Sequence, residues 1–203
     1  MKSYPSIPSS VGTSFFEMTA HVFDKIDGSN LRFEWTAKSG WYKYGTRNRL
    51  FDETDEVFGT AIELWKNTSG AELEKVALTN KWKHLLAFAE FHGPNSFAGY
   101  HDPADPKQLT IFDIAVNKQG FLDPRDFLAY CGHLNIPRYL GKIHWTRDFV
   151  ECVKKGEVEG ITFEGVVGKT MKGKELLMSK AKTQKWLDAV HAKFDPKTAA
   201  NLI

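Results

Sequence analysis

The sequence predicts an α+β fold with mainly antiparallel sheets flanked by helices, and three observations carry that expectation. Strand-like segments rich in β-branched and aromatic residues come in pairs across short polar turns, as "TAHVFDKID" and "LRFEW" do across "GSN", which is the pattern of hairpins. Segments with helical spacing are interspersed among these hairpins. No repeat, low-complexity tract or clear interdomain linker interrupts the 203 residues, so residues 1–203 are expected to form one domain.

Taken in order, "TAHVFDKID" is a strand, "GSN" a turn and "LRFEW" a second strand, giving a hairpin with Lys25 near its mouth. "GWYKYGTRNRLF" is aromatic and basic and continues the sheet. "DEVFGTAIELWKN" has helical spacing, with Val57, Ala61, Leu64 and Trp65 on one face, and "AELEKVALTN" is a second helix after "TSG". "HLLAFAEFHG" and "LTIFDIAVN" are short apolar segments bounded by turn residues, as buried strands are, and "PNSFAGYHDPADPK" between them is a long loop. "DPRDFLAYCGHL" opens on an aspartate suited to cap a helix, and "TRDFVECVKKG" is a helix closing on glycine. "ITFEGVVGKT" and "ELLMSKAKT" are strands joined by a Lys/Gly turn, and "TQKWLDAVHAKF" is a closing amphipathic helix.

Composition narrows the function classes. With 42% hydrophobic and 26% charged residues the chain reads as a soluble protein, and no window holds the ~18 unbroken apolar residues of a membrane helix. "MKSYPSIPSSVGTSFF" reads as an irregular lead-in without the apolar core of a secretory signal, so a cytoplasmic location with no membrane partner is expected. Cys131 and Cys152 lie in apolar segments without CxxC spacing, which argues for reduced core thiols. A formal charge of +2 is too mild to announce a nucleic-acid binder but allows one if the basic residues cluster. The seven histidines show no ligand spacing, so any metal is expected to be an oxygen-bound Mg²⁺.

Lys25 ends an apolar strand ahead of a glycine turn. Its ordinary fate is an edge lysine whose head stays in water. A nucleophilic lysine needs the neutral amine, which at a reference pKa of ~10.4 is about one molecule in a thousand near pH 7, so such a site needs other cations nearby. "ELLMSKAKT" supplies two, Lys180 and Lys182, two residues apart and hence on one strand face, suited either to an anion such as a triphosphate or to a solvated edge. Arg47 adds a donor fork that fits phosphate, unless it is an ordinary surface arginine. In "FAEFHG", Glu90 lies in an apolar strand with Phe88 and His92 on its own face; a carboxylate there pairs with a buried base or receives a ligand. "TIFDIAV" repeats the pattern with Asp113, and Phe112 on the alternate face is either an aromatic wall or a core residue. In "ITFEGVVGK", strict alternation puts Glu164 and Lys169 on opposite faces, so a bulge or bend at Gly168 is expected if they serve one pocket. "GKTMKGKE" nearly matches a phosphate-binding loop but carries Glu175 at the hydroxyl position and is surrounded by strands, which excludes it.

The order of these pieces is more specific than any one of them. "KIDGSN", "FAEFHG", "TIFDIA", "EGVVGK" and "SKAK" resemble, in sequence, the nucleotidyltransferase motifs of covalent ligases and capping enzymes, from about His21 to Leu187. Within that superfamily the chain is most similar to the nick-sealing, phage-type RNA ligases, because Asn30 stands where DNA ligases typically carry arginine and "SFAGYHDPADPKQLTIFDI" resembles their inter-motif segment. The resemblance implies an adenylation domain with its ligand pocket between sheets, ATP as nucleotide, and Mg²⁺ or Mn²⁺ as metal. It implies that Lys25 attacks the ATP α-phosphate, AMP passes to a 5′-phosphorylated end, and a 3′-hydroxyl displaces AMP. Lys25 is then the adenylated nucleophile, Asp24 contacts the adenine amino group, Glu90 takes the ribose hydroxyls and Phe112 stacks on the base. Arg47, Lys169, Lys180 and Lys182 hold phosphates, Glu164 and Asp113 bind metal, and Ile26 and Asn30 match motif positions in the nucleotide site. His92 stands where the family often has an aromatic, and Asp24 is shorter than the usual glutamate.

After the last motif only "TQKWLDAVHAKFDPKTAANLI" remains, so no separate C-terminal OB or helical domain is expected and the chain reads as a near-minimal, monomeric core. An accessory protein that supplies a second domain is compatible with that reading. The expected partner is nucleic acid with 5′-phosphate and 3′-hydroxyl ends, RNA favoured. Competing readings are a minimal ATP-dependent DNA ligase, a GTP-using capping guanylyltransferase and a non-catalytic end-binding module.

Overall fold

The β-branched and aromatic run Thr19–Lys25 forms strand β1, and Ser29–Thr36 forms β2, but the two do not pair as a hairpin. β1 pairs antiparallel with β8 (Tyr139–His144) and β9 (Gly165–Lys172), whereas β2 pairs with β3 (Gly40–Thr46) and β5 (His84–His92). The turn between them carries the chain from one sheet to the next. Gly28 makes that exit feasible, since a Cβ there would lie 2.4 Å from the Phe91 carbonyl oxygen. Long-range pairing on both sides of the turn outweighs the local hairpin that the spacing suggests.

The computed structural model describes residues 3–9, 14–117 and 120–203, so residues 1–2 and 10–13 of the expected lead-in lie outside the described residues. The chain forms two compact units. One comprises Gly28–Ile136 with residues up to Pro5, Tyr4 among them; the other comprises Ser6–Asp27 and Pro137–Ile203.

In the first unit a six-stranded sheet runs in the order β4 (Leu50–Phe51), β3, β2, β5, β6 (Gln108–Val116), β7 (Gly120–Phe121). Helices α1 (Gly59–Asn67) and α2 (Ser69–Thr79) bury Ile62, Trp65, Leu73 and Ala77, and Phe33 of β2 stacks on Trp65 with centroids 4.1 Å apart. Burying such large side chains contributes about 1.5–3 kcal/mol each. Val57 is not part of that face, because α1 starts two residues later and leaves Val57 exposed; Ile62 fills the position instead. Helix α3 (Pro124–Cys131) starts as expected on Asp123, whose side chain accepts from the Arg125 backbone N–H. Cys131 is a free, buried thiol that burial pushes up to about 12, while Cys152 is free and half-buried.

In the second unit a four-stranded antiparallel sheet has the order β10 (Glu175–Lys182), β9, β1, β8. One face carries Ala20, Val22, Val166 and Ala181, packed with Phe15, Trp145 and, from α4 (Arg147–Lys155), Val150 and Val153. α4 has the capping that its sequence signals: the Thr146 hydroxyl accepts from the Phe149 N–H, and Gly156 ends the helix at φ +75°. The β9–β10 hairpin forms as expected. "YLGKIH" adds strand β8, and beyond α5 (Gln184–Lys193) a further helix, α6 (Pro196–Leu202), begins on an Asp195 cap with proline at its first turn, a start signal that "FDPKT" carries. Among the described residues no helix is long and apolar enough to cross a membrane.

Candidate active site

In the second unit, strand register collects the cations. β9 sets Gly165 opposite Lys25, Val167 opposite Phe23 and Lys169 opposite His21, and β10 sets Lys182 opposite Gly165 and Lys180 opposite Val167. Lys25, Lys169, Lys180 and Lys182 therefore share one sheet face. Lys169 is buried with its ammonium 5.2 Å from the Phe23 ring centre. Ile26 follows β1, half-buried.

Glu164 joins two of these lysines. One carboxylate oxygen lies 2.8 Å from Lys25 Nζ and the other 3.1 Å from Lys182 Nζ. The conflict of parity between Glu164 and Lys169 is resolved at Gly165 rather than at Gly168. Glu164 stands just before β9, and Gly165 turns the chain at φ +140°, where a Cβ would lie 2.1 Å from the Ala181 carbonyl oxygen. At Gly168 the register with β1 and β10 is unbroken, and the missing side chain admits the Trp145 ring from the opposite face.

Lys182 is buried as well. Its Nζ donates to the Leu202 carbonyl at 2.8 Å and lies 3.6 Å from the Trp186 ring centre, while Trp186 Nε1–H donates to Asp27 at 2.6 Å. Burial lowers its ammonium to about 8, with Lys25 and Lys180 adding to the shift and Glu164 opposing it. Trp186 is legible in "TQKWL" only as the apolar side of a helix; its place over Lys182 follows from α5 starting directly at the end of β10.

Asp24 alternates to the opposite face from Lys25. It is buried beside Val166, and its Oδ1 accepts from the Thr162 N–H (2.7 Å) and hydroxyl (3.1 Å).

In the first unit, β5 sets half-buried Glu90 between Asn30 on β2 and Thr110 on β6, with Phe88 and His92 on its own side. His92 Nε2 and the Thr110 hydroxyl are 2.9 Å apart, and burial lowers the His92 pKa. The Asn30 Oδ1 is buried and accepts no hydrogen bond. A bulge then changes the parity that the sequence implies for β6: Phe88 pairs with Asp113 and Ala89 with Ile111, leaving Phe112 as the extra residue. Phe112 and Asp113 accordingly meet the same neighbour, Tyr4. The Tyr4 hydroxyl donates to Asp113 at 2.5 Å, and its ring lies edge-on to Phe112 and Phe88 with centroids 4.9 and 5.0 Å away. Burial, then the Asp113 and Glu90 charges, hold the Tyr4 phenol well above its ordinary pKa, with Arg47 opposing, so Tyr4 stays a neutral donor. Arg47 itself is exposed just past β3.

Asp113 thus has a phenol as its partner, and no three His, Cys, Asp or Glu side chains cluster as a metal cage among the described residues. Nothing in the N-terminal sequence marks Tyr4, because one aromatic in an irregular segment has no periodicity to read. Tyr4→Phe is expected to destabilise the protein by about 1–3 kcal/mol, since it leaves a buried carboxylate without this donor. Thermal unfolding of the variant checks this; an unchanged midpoint would contradict it.

Comparisons with known proteins agree with this architecture. The family model described as RNA ligase matches residues 19–187, a range that runs through both units. No curated protein matches the chain. Among solved structures, a Naegleria gruberi RNA ligase variant with ATP and Mn superposes with a TM-score of 0.67 at 15% identity, covering 94% of this chain and 58% of that one. Another variant with AMP and Mn gives 0.66 at 12% identity, covering 93% and 58%. The enzyme with PPi gives 0.64 at 15% identity, covering 88% and 53%. The chain spans little more than half the length of these structures.

Proposed function

Because the chain belongs to the RNA ligase family, we propose that it is an ATP-dependent RNA ligase, joining 5′-phosphate and 3′-hydroxyl ends through a lysyl-AMP and an adenylated RNA end. The observation that carries this reading is Lys25 Nζ at 2.8 Å from Glu164, whose other oxygen holds Lys182 at 3.1 Å. A nucleophile, the carboxylate that orients it and a second cation stand together there, as phosphoryl transfer requires.

In the first step the Lys25 nitrogen, oriented by Glu164, gives up its two excess protons to solvent as its lone pair attacks the α-phosphorus. The N–P bond forms, the bond to the β-phosphate oxygen breaks, and pyrophosphate leaves with the electron pair. Lys182, Lys180, Lys169 and Arg47 neutralise the charge that gathers on the phosphate oxygens. In the second step a 5′-phosphate oxygen takes the adenylyl group, the N–P bond breaks and the Lys25 nitrogen regains its protons from solvent; in the third a 3′-hydroxyl attacks the activated phosphorus, its proton passes to solvent, and AMP departs with the electron pair. Glu90 binds the ribose hydroxyls, Phe112 stacks on the base, and Asn30 and Ile26 line the nucleotide site. The first-unit acceptors suit this role: a half-buried carboxylate and a buried amide oxygen without a donor lie opposite one another on adjacent strands.

A divalent ion such as Mg²⁺ or Mn²⁺, bound mainly through substrate phosphates and water with Glu164 as its carboxylate, would add charge neutralisation and fits a donor set without a closed cage. ATP and Mn in the Naegleria gruberi structures support that choice. Incubation with α-labelled ATP and Mg²⁺ is expected to leave one AMP on the protein; labelling by GTP in place of ATP would overturn the reading.

A further inference from the structure

We propose that Asp24 is a positioning residue that fixes Glu164 against Lys25 and Lys182, by accepting hydrogen bonds from Thr162 rather than by touching the nucleotide. The inference rests on the adenylation reading above and assigns to Asp24 a different task from the base contact that its place in the motif suggests.

The geometry is built around a segment with no ladder of its own. Residues 161–164 precede β9 and belong to no strand, so side chains must fix them. Asp24 reaches them from β1, taking the Thr162 N–H and hydroxyl on one oxygen at 2.7 and 3.1 Å. Thr183 reaches them from the end of β10: its hydroxyl donates to the Phe163 carbonyl at 2.7 Å and its N–H to the Glu164 carbonyl at 3.0 Å. Glu164 is thereby held on both sides, one residue before the Gly165 turn. Asp24 itself is anchored through its backbone N–H, which donates to the Arg138 carbonyl at 2.9 Å. Because successive β1 side chains face opposite ways, the side chain next to the nucleophile is aimed away from it, into the packing that supports Glu164. Burial raises the Asp24 carboxyl above its usual range, opposed chiefly by the two Thr162 bonds, so acceptance from Thr162 is what favours this carboxylate in the folded chain.

The test measures single-turnover labelling of the full chain by α-labelled ATP and by purine riboside triphosphate, which lacks the 6-amino group. Asp24→Ala is expected to slow both labellings by the same factor, on the order of 10²-fold, the scale of a misplaced catalytic group. Asp24→Asn keeps an acceptor oxygen and is expected to stay within about tenfold of wild type, because acceptance rather than charge is required. Adding Asp24→Ala to Glu164→Gln should slow labelling no further than Glu164→Gln alone, since the two act through one group. A loss confined to ATP, an Asn variant as slow as the Ala variant, or a double variant showing the product of both losses overturns the proposal. Should Asp24→Ala fail to fold, Thr162→Val deletes only the hydroxyl bond and carries the same comparison with a loss of about tenfold. Absence of label on wild type defeats the ligase reading, whereas a labelled wild type with an unimpaired Asp24→Ala defeats only the role given to Asp24.

Discussion

Lys25→Ala is expected to form no covalent AMP adduct, a loss of at least ~10³-fold in labelling, because the variant has no amine to attack phosphorus. Lys25→Arg is expected to fail equally: its guanidinium keeps the positive charge beside Glu164 but has no accessible neutral form. The arginine variant separates nucleophile from cation. If Lys25 served only as a counter-ion to Glu164, arginine would retain labelling, and a labelled Lys25→Arg protein would remove Lys25 from the mechanism. Intact-mass measurement after incubation with ATP and Mg²⁺ reads the result directly, and ATP binding by the variants tells lost chemistry from lost affinity.

The second large effect is expected at Glu164, where stability and catalysis fall together for one electrostatic reason. Glu164→Gln removes the negative charge that lies between Lys25 and Lys182, leaving two ammonium groups facing an uncharged amide. Breaking a buried pair in this way costs about 3–5 kcal/mol, and the partial exposure of Lys25 places the expected loss toward the lower end. Lys182 also loses the group that opposes its depressed pKa of about 8, so it becomes neutral near physiological pH and no longer offsets phosphate charge. Labelling is expected to fall by ~10²-fold or more.

The pH dependence has a definite sign. In wild type Lys182 titrates at about 8 when folded against an ordinary 10.5, so across that window the unfolded chain holds the extra proton and stability rises with pH. Without Glu164 the window opens further downward, so the gap in unfolding free energy between variant and wild type narrows as pH rises toward about 8 and is level above it. Chemical denaturation at several pH values checks it, and a gap that widens there would contradict the account. Adding Lys182→Met to Glu164→Gln should recover stability, by replacing a stranded ammonium with an apolar chain of similar length, without recovering labelling.

Much of the architecture is legible in local pattern. Helix α4 declares itself through a threonine cap, two lysines in its last turn and a terminal glycine, and the β9–β10 hairpin through its Lys/Gly turn. The lysine pair of "SKAK" shares a face because a regular strand alternates, and Glu90 keeps Phe88 and His92 on its side for the same reason. Period-two reasoning fails where the backbone departs from regularity. The β6 bulge brings Phe112 and Asp113 to one neighbour, and Gly165 lets Glu164 reach the lysines although its parity forbids it. The hairpin assigned across "GSN" fails because the pairing partners of β1 lie more than a hundred residues away, while β2 pairs instead with β3 just after it and with distant β5, and no local signal at "GSN" encodes such choices. Tyr4, Thr162, Thr183 and Trp186 escape sequence reading because each acts through a tertiary hydrogen bond or ring contact rather than through a motif position.

The most direct test of the RNA ligase assignment is a chase. Protein first labelled with α-labelled ATP is freed of nucleotide and given a nicked duplex with a 5′-phosphate and an RNA 3′-hydroxyl. The label is expected to leave the protein, appear on the 5′-phosphorylated strand as an adenylate, and be released as AMP as the sealed strand accumulates, with an all-DNA nick sealed far more slowly. Label that stays on the protein, or an all-DNA nick sealed as well as the RNA one, would contradict the assignment.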